Sequence, residues 1–169
     1  MVHEEDFKEG YILGFIEAEG SFSVSIKFQR DVFGGVRLDP VFSITQKNRE
    51  VLEAIKEHLG IGRIIEKAGQ PNTYVYVVDN FNELVKLINF LNKYADFMIV
   101  KKRQFLIFRE IANGLVNGEH LHINGLKRLV KLAYELTKES EKGYRKYDLN
   151  HVLSIIDKWD LGRNVSTSL

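Results

Sequence analysis

The first apolar repeat along the chain has the period of a helix. Phe7, Tyr11 and Phe15 recur every four residues, and this spacing predicts a helix near the start of the sequence. We expect Asp6 to cap this helix and Gly20 to end it in a left-handed conformation.

Small residues form a second repeat with the same spacing on this helix. Gly10, Gly14 and Ala18 leave one helical face nearly flat. A glycine inside a helix costs roughly 1 kcal/mol relative to alanine, so we expect a contact that offsets this cost. Close approach of a second helix backbone is the simplest such contact.

A period of two follows and predicts strands. Apolar residues alternate singly with polar ones over residues 22–29 and again over 36–45, with Gly34-Gly35 as a turn between the two runs. This pattern predicts a long antiparallel hairpin with one buried and one solvated face. Pro40 lacks a backbone donor, so we expect it at an unpaired position or a bulge.

The rest of the chain predicts a mixed helix and strand fold. Two short strands are expected near residues 61–67 and 73–78, and further helices after Asn48, after Asn80, and near 98–117, 123–138 and 148–160. The predicted class is therefore α+β, with a core in the order α-β-β-α-β-β-α, an antiparallel sheet and C-terminal helices packed on that core. We expect a single domain over residues 1–160 and a frayed tail over 161–169.

Composition narrows the class of protein. The 169 residues are 44% hydrophobic and 28% charged, as in ordinary globular proteins. The absence of cysteine excludes disulfides, cysteine-ligated metals and thiol catalysis. No apolar run reaches the ~20 residues that span a bilayer, and the acidic beginning is unlike a signal peptide. We expect an intracellular protein without membrane contact, in the cytoplasm of a prokaryote or archaeon or in an organelle matrix.

Net charge alone indicates no partner, because 24 Lys and Arg against 23 Asp and Glu give +1. Basic residues nevertheless cluster at positions 101–103, 127–131 and 142–146. Such clusters are typical both of a basic face for nucleic acid and of ordinary solvated helix surfaces.

The nonapeptide Ile12-Leu13-Gly14-Phe15-Ile16-Glu17-Ala18-Glu19-Gly20 resembles the signature motif of the LAGLIDADG homing endonucleases. The strand alternation after it, the Thr45-Gln46-Lys47 turn and the predicted element order extend the resemblance over roughly residues 7–160. The resemblance implies an intron-encoded, site-specific double-strand DNA endonuclease. Such an enzyme cleaves a long pseudo-palindromic target by metal-dependent phosphodiester hydrolysis.

The resemblance also implies catalytic roles for residues at the end of the first helix. Glu19 and the backbone carbonyl of Ala18 are the implied ligands of Mg²⁺ or another hard divalent cation, which prefers oxygen ligands. Glu17 is implied to satisfy backbone donors near the helix interface. Both acidic positions are glutamate here, whereas aspartate is common in the family.

Two residues further along the chain match other catalytic positions of the family. Gln46, at the end of the second strand, is implied to order active-site water. Lys101 is implied to polarise the scissile phosphate or to position water, with Lys102 as the alternative register.

The solvated sheet face is the implied DNA-binding saddle. A β-ribbon fits the major groove, where Arg and Lys suit guanine and Gln suits adenine. The predicted contacts are Ser23, Ser25, Lys27, Gln29, Arg30, Arg37, Asp39, Ser43, Arg63, Lys67 and Thr73. Basic residues between the last two helices are expected to contact the DNA backbone, namely Lys142, Arg145 and Lys146.

The motif occurs once in the sequence. Family members with one motif act as homodimers, so the resemblance implies that a second copy supplies the second helix and carboxylate. Tyr11, Gly14, Glu17 and Ala18 are the expected interface residues. Two-fold symmetry of the protein then predicts a pseudo-palindromic DNA target.

Two other functions remain open on the same fold. One is an RNA maturase that assists the splicing of intron RNA, and the other is a catalytically silent DNA-binding protein. The presence of Glu19, Gln46 and Lys101 favours the nuclease, because a silent relative has no chemical need for all three.

Overall fold

A computed structural model describes residues 3–140 and 143–166 of the chain. Within these residues the helices are α1 (Glu4–Glu19), α2 (Arg49–Leu59), α3 (Phe81–Tyr94), α4 (Lys102–Val116), α5 (Ile123–Lys138) and α6 (Leu149–Ser166). The strands are β1 (Gly20–Phe28), β2 (Val36–Gln46), β3 (Arg63–Glu66) and β4 (Tyr74–Val78). The α+β class and the predicted order of the core elements are confirmed.

The strands form one sheet with the order β1-β2-β4-β3. Strand β4 lies antiparallel to β2, with Phe42 opposite Val78 and Gln46 opposite Tyr74, and antiparallel to β3. Pro40 lies in β2 before the stretch that pairs with β4, so that ladder does not need the N–H that proline lacks.

The chain divides into two compact units. One comprises the described residues up to Phe22 together with Val41–Phe105, and the other comprises Ser23–Pro40 together with the described residues from Leu106 onward. Each unit has its own core of buried apolar side chains. The apolar positions repeat along the helices and strands because one face of each element contributes to such a core. Fully buried side chains of the first unit include Ile16, Phe42, Leu52, Tyr76 and Leu87, and those of the second include Phe108, Ile111, Leu129, Val130 and Ile156.

Side-chain caps fix the beginnings of two helices where the sequence predicts them. The Asn48 Oδ1 accepts a hydrogen bond from the Val51 N–H at 3.3 Å, and the Asn80 Oδ1 accepts from the Asn82 N–H at 2.9 Å. Helix α2 ends at Gly60, which has the left-handed conformation (φ 63°) expected of a helix-ending glycine.

Two helix ends differ from the prediction. Helix α1 begins at Glu4 with His3 in the N-cap position, so Asp6 lies in the first turn, where its charge complements the helix dipole. Gly20 is extended (φ −67°, ψ 145°) rather than left-handed, because the chain passes straight from α1 into β1.

The helices after α3 also differ in their bounds. Helix α4 begins at Lys102 rather than near residue 98, because contacts described below hold residues 99–101 outside the helix. Helix α6 continues to Ser166, so residues 161–166 of the predicted tail are helical, and residues 167–169 of that tail lie outside the described residues. No helix in the described ranges is long and apolar enough to cross a membrane.

Two glycines that follow α2 share a left-handed backbone conformation but differ in how closely other atoms pack around them. Both Gly60 and Gly62 have positive φ, but a Cβ on Gly60 would meet nothing within 4 Å. A Cβ on Gly62 would lie 2.5 Å from the buried Tyr76 ring and 2.9 Å from the Val77 carbonyl oxygen.

We expect Gly60→Ala to lower the free energy of unfolding by about 1–2 kcal/mol, through left-handed strain alone. Gly62→Ala should cost about 1–3 kcal/mol more, since it adds overpacking. Urea unfolding of both variants measures the difference. Equal losses would contradict the close packing described at Gly62.

Candidate functional site

The Glu17 carboxylate, on the last turn of α1, accepts three backbone hydrogen bonds from one short segment. The N–H groups of Ile99 and Val100 donate to Oε2 at 2.6 and 2.7 Å, and the Lys101 N–H donates to Oε1 at 2.8 Å. Hydrogen bonds to an ionised carboxylate are about twice as strong as neutral ones. Glu17 therefore fixes the segment before α4 to the end of α1, as the sequence analysis expected of a residue that satisfies backbone donors.

This junction places Lys101 beside the acidic end of α1. Lys101 precedes α4, and its carbonyl accepts the Phe105 N–H at 2.8 Å. Its side chain is half-buried, and no ion pair within the described residues engages its ammonium group. The ammonium group of Lys102 instead lies 3.6 Å from an Asp96 carboxylate oxygen. The two lysines thus differ, because the ammonium group of Lys102 lies close to a carboxylate and that of Lys101 is in no ion pair within the described residues.

Glu19 is the last residue of α1, and its side chain is exposed. The Ala18 carbonyl is one of the last four of the helix, which have no donor within it. Both oxygens are therefore available at the same helix end. Gln46, the last residue of β2, is half-buried, and because β1 and β2 form a hairpin, it lies at the end of that hairpin where β1 begins after Glu19.

The side chains of the described residues do not by themselves surround a metal ion with ligands. Among the described residues, no group of three or more His, Asp or Glu side chains could hold a metal ion. A Mg²⁺ ion, however, is usually bound by one or two carboxylates together with waters and phosphate oxygens. The Glu19 carboxylate and the Ala18 carbonyl fit such a cation, whose coordination a phosphate-bearing substrate would complete.

One face of α1 is open. Ile12 and Ile16 are buried, whereas Phe7 is 70% and Tyr11 52% exposed. Gly10 and Gly14 are exposed too, and a Cβ added to Gly14 would meet nothing within 4 Å. The Phe7–Tyr11 repeat therefore marks the helix correctly but lies on its uncovered side.

The predicted outward positions of the sheet are accessible with one exception. Thr73, which directly precedes β4, is buried, so it is wrongly placed among the outward side chains. The accessible residues, exposed or half-exposed, are Ser23, Ser25, Lys27, Gln29, Arg30, Arg37, Asp39, Ser43, Arg63 and Lys67.

Acidic residues hold several of these basic side chains. The Asp39 carboxylate accepts from Arg37 at 2.9 and 3.0 Å and lies 2.7 Å from the Lys27 ammonium. Arg63 donates to both carboxylate oxygens of Asp79, at 2.5 and 2.8 Å. The hydrogen bond from Arg63 lowers the pKa of the Asp79 carboxyl more than burial raises it.

The basic residues expected between the last two helices differ in their contacts and exposure. The Arg145 guanidinium donates to the Ala133 carbonyl at 2.8 Å and lies 5.1 Å from the centre of the Tyr134 ring. Burial lowers the pKa of Arg145, and its side chain braces the connection instead of pointing to solvent. Lys146 is exposed, 5.3 Å from the Tyr147 ring, and Lys142 lies outside the described residues.

The family model described as LAGLIDADG endonuclease matches residues 12–112. The chain belongs to this family. The match begins inside α1, within the motif that carries Glu17 and Glu19, and extends through the sheet into α4. The resemblance inferred from the nonapeptide is thereby confirmed.

LAGLIDADG relatives are found by sequence and by structure. The homing endonuclease I-ApeII of Aeropyrum pernix is 42% identical over 151 residues, which are 88% of this chain and 89% of that protein. A solved structure of the archaeal intron-encoded homing endonuclease I-Vdi141I complexed with DNA is 99% identical. It covers 94% of this chain and 99% of its own, with a TM-score of 0.92. The structure of I-SmaMI bound to an uncleaved DNA target in the presence of calcium ions is 28% identical over 82% of this chain and 46% of its own, with a TM-score of 0.71.

Sequence reasoning missed the partners of the basic side chains. Asp79 lies just after β4, sixteen residues from Arg63 along the chain, and no local pattern links the two. The order of β3 and β4 was predicted, but their register, which places Arg63 opposite Val77, was not. That register would have identified Asp79 as a neighbour.

Glu17 and Glu19 form a matched pair for separating structure from chemistry. Glu17→Gln removes the charge and one of the two acceptor oxygens from three backbone hydrogen bonds. We expect a loss of about 2 kcal/mol or more in the free energy of unfolding, and faster hydrogen exchange at residues 99–101. Glu19→Gln, on an exposed side chain, should change stability by less than about 0.5 kcal/mol. A Glu17→Gln variant as stable as the wild type would contradict the role assigned to this carboxylate.

Proposed function

We propose that the chain is a site-specific endonuclease that cleaves double-stranded DNA by cation-dependent phosphodiester hydrolysis. The observation that carries the proposal is the Glu17 junction, which holds Lys101 at the helix end where Glu19 is exposed. The Glu17 carboxylate thus brings Lys101, which can contact a phosphate, to the helix end that carries Glu19, which can bind a cation. The named relatives are homing endonucleases, which supports the same reading.

Each side chain has a distinct role in this proposal. Glu19 and the Ala18 carbonyl hold Mg²⁺ or another hard divalent cation, which would stabilise the attacking and leaving oxygens of the displacement. Lys101 donates to the scissile phosphate and offsets charge that develops there. Gln46 donates to or accepts from the water that attacks. Lys101 suits the phosphate better than Lys102, whose ammonium lies near Asp96.

We further propose that two copies of the chain act together. The uncovered α1 face supports this, since Gly10 and Gly14 carry no side chain that would keep a second helix away. Tyr11 and Ala18 lie on exposed positions of the same helix, and Phe7 adds apolar area that solvent covers in the single chain. Glu17 lies at the edge of this face, and each copy would supply one Glu19 to a pseudo-palindromic target.

The outward residues of the sheet would read that target. Serine, lysine, glutamine and arginine side chains supply the donors and acceptors that base edges in the major groove require. Lys146 would contact the phosphate backbone from the connection before α6, and Lys142 stays a prediction. A DNA substrate also favours the intracellular location expected from the composition, and intron RNA stays a further predicted partner.

The assignment of Glu19 is tested by Glu19→Gln. The substitution preserves shape and removes the charge that holds the cation, so we expect specific DNA binding to be retained and cleavage to fall by at least 100-fold, about 2.7 kcal/mol of barrier. Binding in Ca²⁺ and cleavage in Mg²⁺ are measured on the same DNA. Cleavage at a near wild-type rate would show that another group binds the cation, and loss of both binding and cleavage would point to misfolding.

The two-copy arrangement is tested by Gly14→Leu. Because nothing lies near Gly14 in the single chain, the variant should fold normally, whereas its side chain should keep a second α1 helix away. Sedimentation should show a dimer for the wild type on DNA and a monomer for the variant, with double-strand cleavage lost. A wild type that remains monomeric on DNA would refute the arrangement.

A further inference from the structure

Two arginines at outward positions of the sheet are each held by an aspartate, but through different edges of the guanidinium group. Arg37 binds Asp39 side-on, with Nε at 2.9 Å from Oδ1 and Nη2 at 3.0 Å from Oδ2. Arg63 binds Asp79 end-on, with Nη1 at 2.5 Å from Oδ1 and Nη2 at 2.8 Å from Oδ2. The same pair of residue types thus leaves different donors for a ligand.

The two arrangements differ in which N–H donors of the arginine stay available to a ligand. A guanidinium group has five N–H donors in a planar fork. In Arg37, Asp39 takes two of them, and the Gln29 Oε1 accepts a third from Nη1 at 3.1 Å. One donor remains on each Nη nitrogen. In Arg63, Asp79 occupies the two-nitrogen fork itself.

Arg37 thus keeps one donor on each of the two nitrogens with which an arginine fork binds guanine. A guanine presents two acceptors, O6 and N7, in the major groove, and an arginine fork meets both at once. Asp39 and Gln29 also restrict the side-chain torsions of Arg37 before any DNA is bound, which reduces the entropy lost on binding.

Asp39 is suited to this positioning role by its own surroundings. It lies in β2, half-buried, and the ammonium group of Lys27 from the neighbouring strand lies 2.7 Å from its Oδ2. Burial raises the pKa of the Asp39 carboxyl, but hydrogen bonds from Arg37 and Lys27 together lower it below its ordinary value. The carboxylate therefore stays charged and keeps both basic side chains in place at neutral pH.

We propose that Asp39 is a positioning residue that presents Arg37 to a guanine, once in each half of the target, whereas Asp79 withholds the fork of Arg63 from the bases. The inference rests on the proposed DNA-binding function. It changes the expected role of Asp39 from a direct DNA contact to an orienting group, and it changes Arg63 from a reader of bases to an arginine held by its own chain.

The proposal predicts opposite effects for two matched substitutions. Removing either carboxylate takes a negative charge away from bound DNA, and that change alone would strengthen binding to every sequence. Asp39→Asn should instead weaken binding to the preferred target, because Arg37 is no longer held in place. Asp79→Asn should leave the base preference at the Arg37 position unchanged and bind all sequences equally well or more tightly.

The experiment first selects the preferred target from a randomised DNA library. It then measures the affinities of the protein for that target and for every single-base variant, in Ca²⁺ and at two salt concentrations. Arg37→Ala should reduce the preference for guanine at one symmetric pair of positions by about 5- to 150-fold, the discrimination of a bidentate contact. Asp39→Asn should reduce the preference at the same positions and nowhere else. Thermal unfolding of each variant reports on stability, and a purely structural role of Asp39 would weaken binding without moving that preference.

Three results would overturn the proposal. The first is an Asp39→Asn variant that binds all sequences more tightly with the guanine preference intact, which would make Asp39 only a source of repulsion. The second is an Arg37→Ala variant with every base preference unchanged. The third is an Asp79→Asn variant that loses a preference at the Arg37 positions. A wild type that binds no DNA would instead refute the proposed function, and the inference with it, so the two failures are distinguishable.

Discussion

The bond between the Glu17 carboxylate and three consecutive backbone N–H groups is the constraint on which the candidate site depends. It ends the loop before α4, sets where that helix begins and brings Lys101 to the end of α1. A carboxylate in this position has no neutral substitute, because an amide side chain offers one acceptor oxygen instead of two. The two acids of the motif therefore differ, because Glu17 binds the backbone of residues 99–101 whereas the Glu19 side chain is exposed.

The accessible face of the sheet carries ion pairs between its own acidic and basic side chains. Three of its basic side chains, Lys27, Arg37 and Arg63, form ion pairs with Asp39 or Asp79 of the same chain. Pairs of this kind add little to stability, since exposed ion pairs contribute about 0–1 kcal/mol. Their effect lies in the direction that each arginine and lysine takes before a ligand arrives.

Much of the fold could be predicted from local signals. Strict alternation gave β1 and β2, and Asn48 and Asn80 marked helix starts because a side-chain cap depends on residues only two or three positions away. The errors arose where a distant contact decides the outcome. Gly20 is extended because α1 leads directly into a strand, and α4 begins late because Glu17, more than eighty residues earlier, binds the amides that would have joined the helix. For the same reason the sequence revealed Arg145 as a basic residue but not the carbonyl that it binds.

The exposure of the sheet positions has a consequence for how such a protein can change over generations. Substitutions at exposed strand positions such as Ser23 or Ser25 usually alter stability by less than about 0.5 kcal/mol, so many of them are tolerated. A change at Glu17, by contrast, leaves three amides without their acceptor. The sheet surface can therefore change its side chains with little loss of stability, whereas the junction between the end of α1 and residues 99–101 cannot.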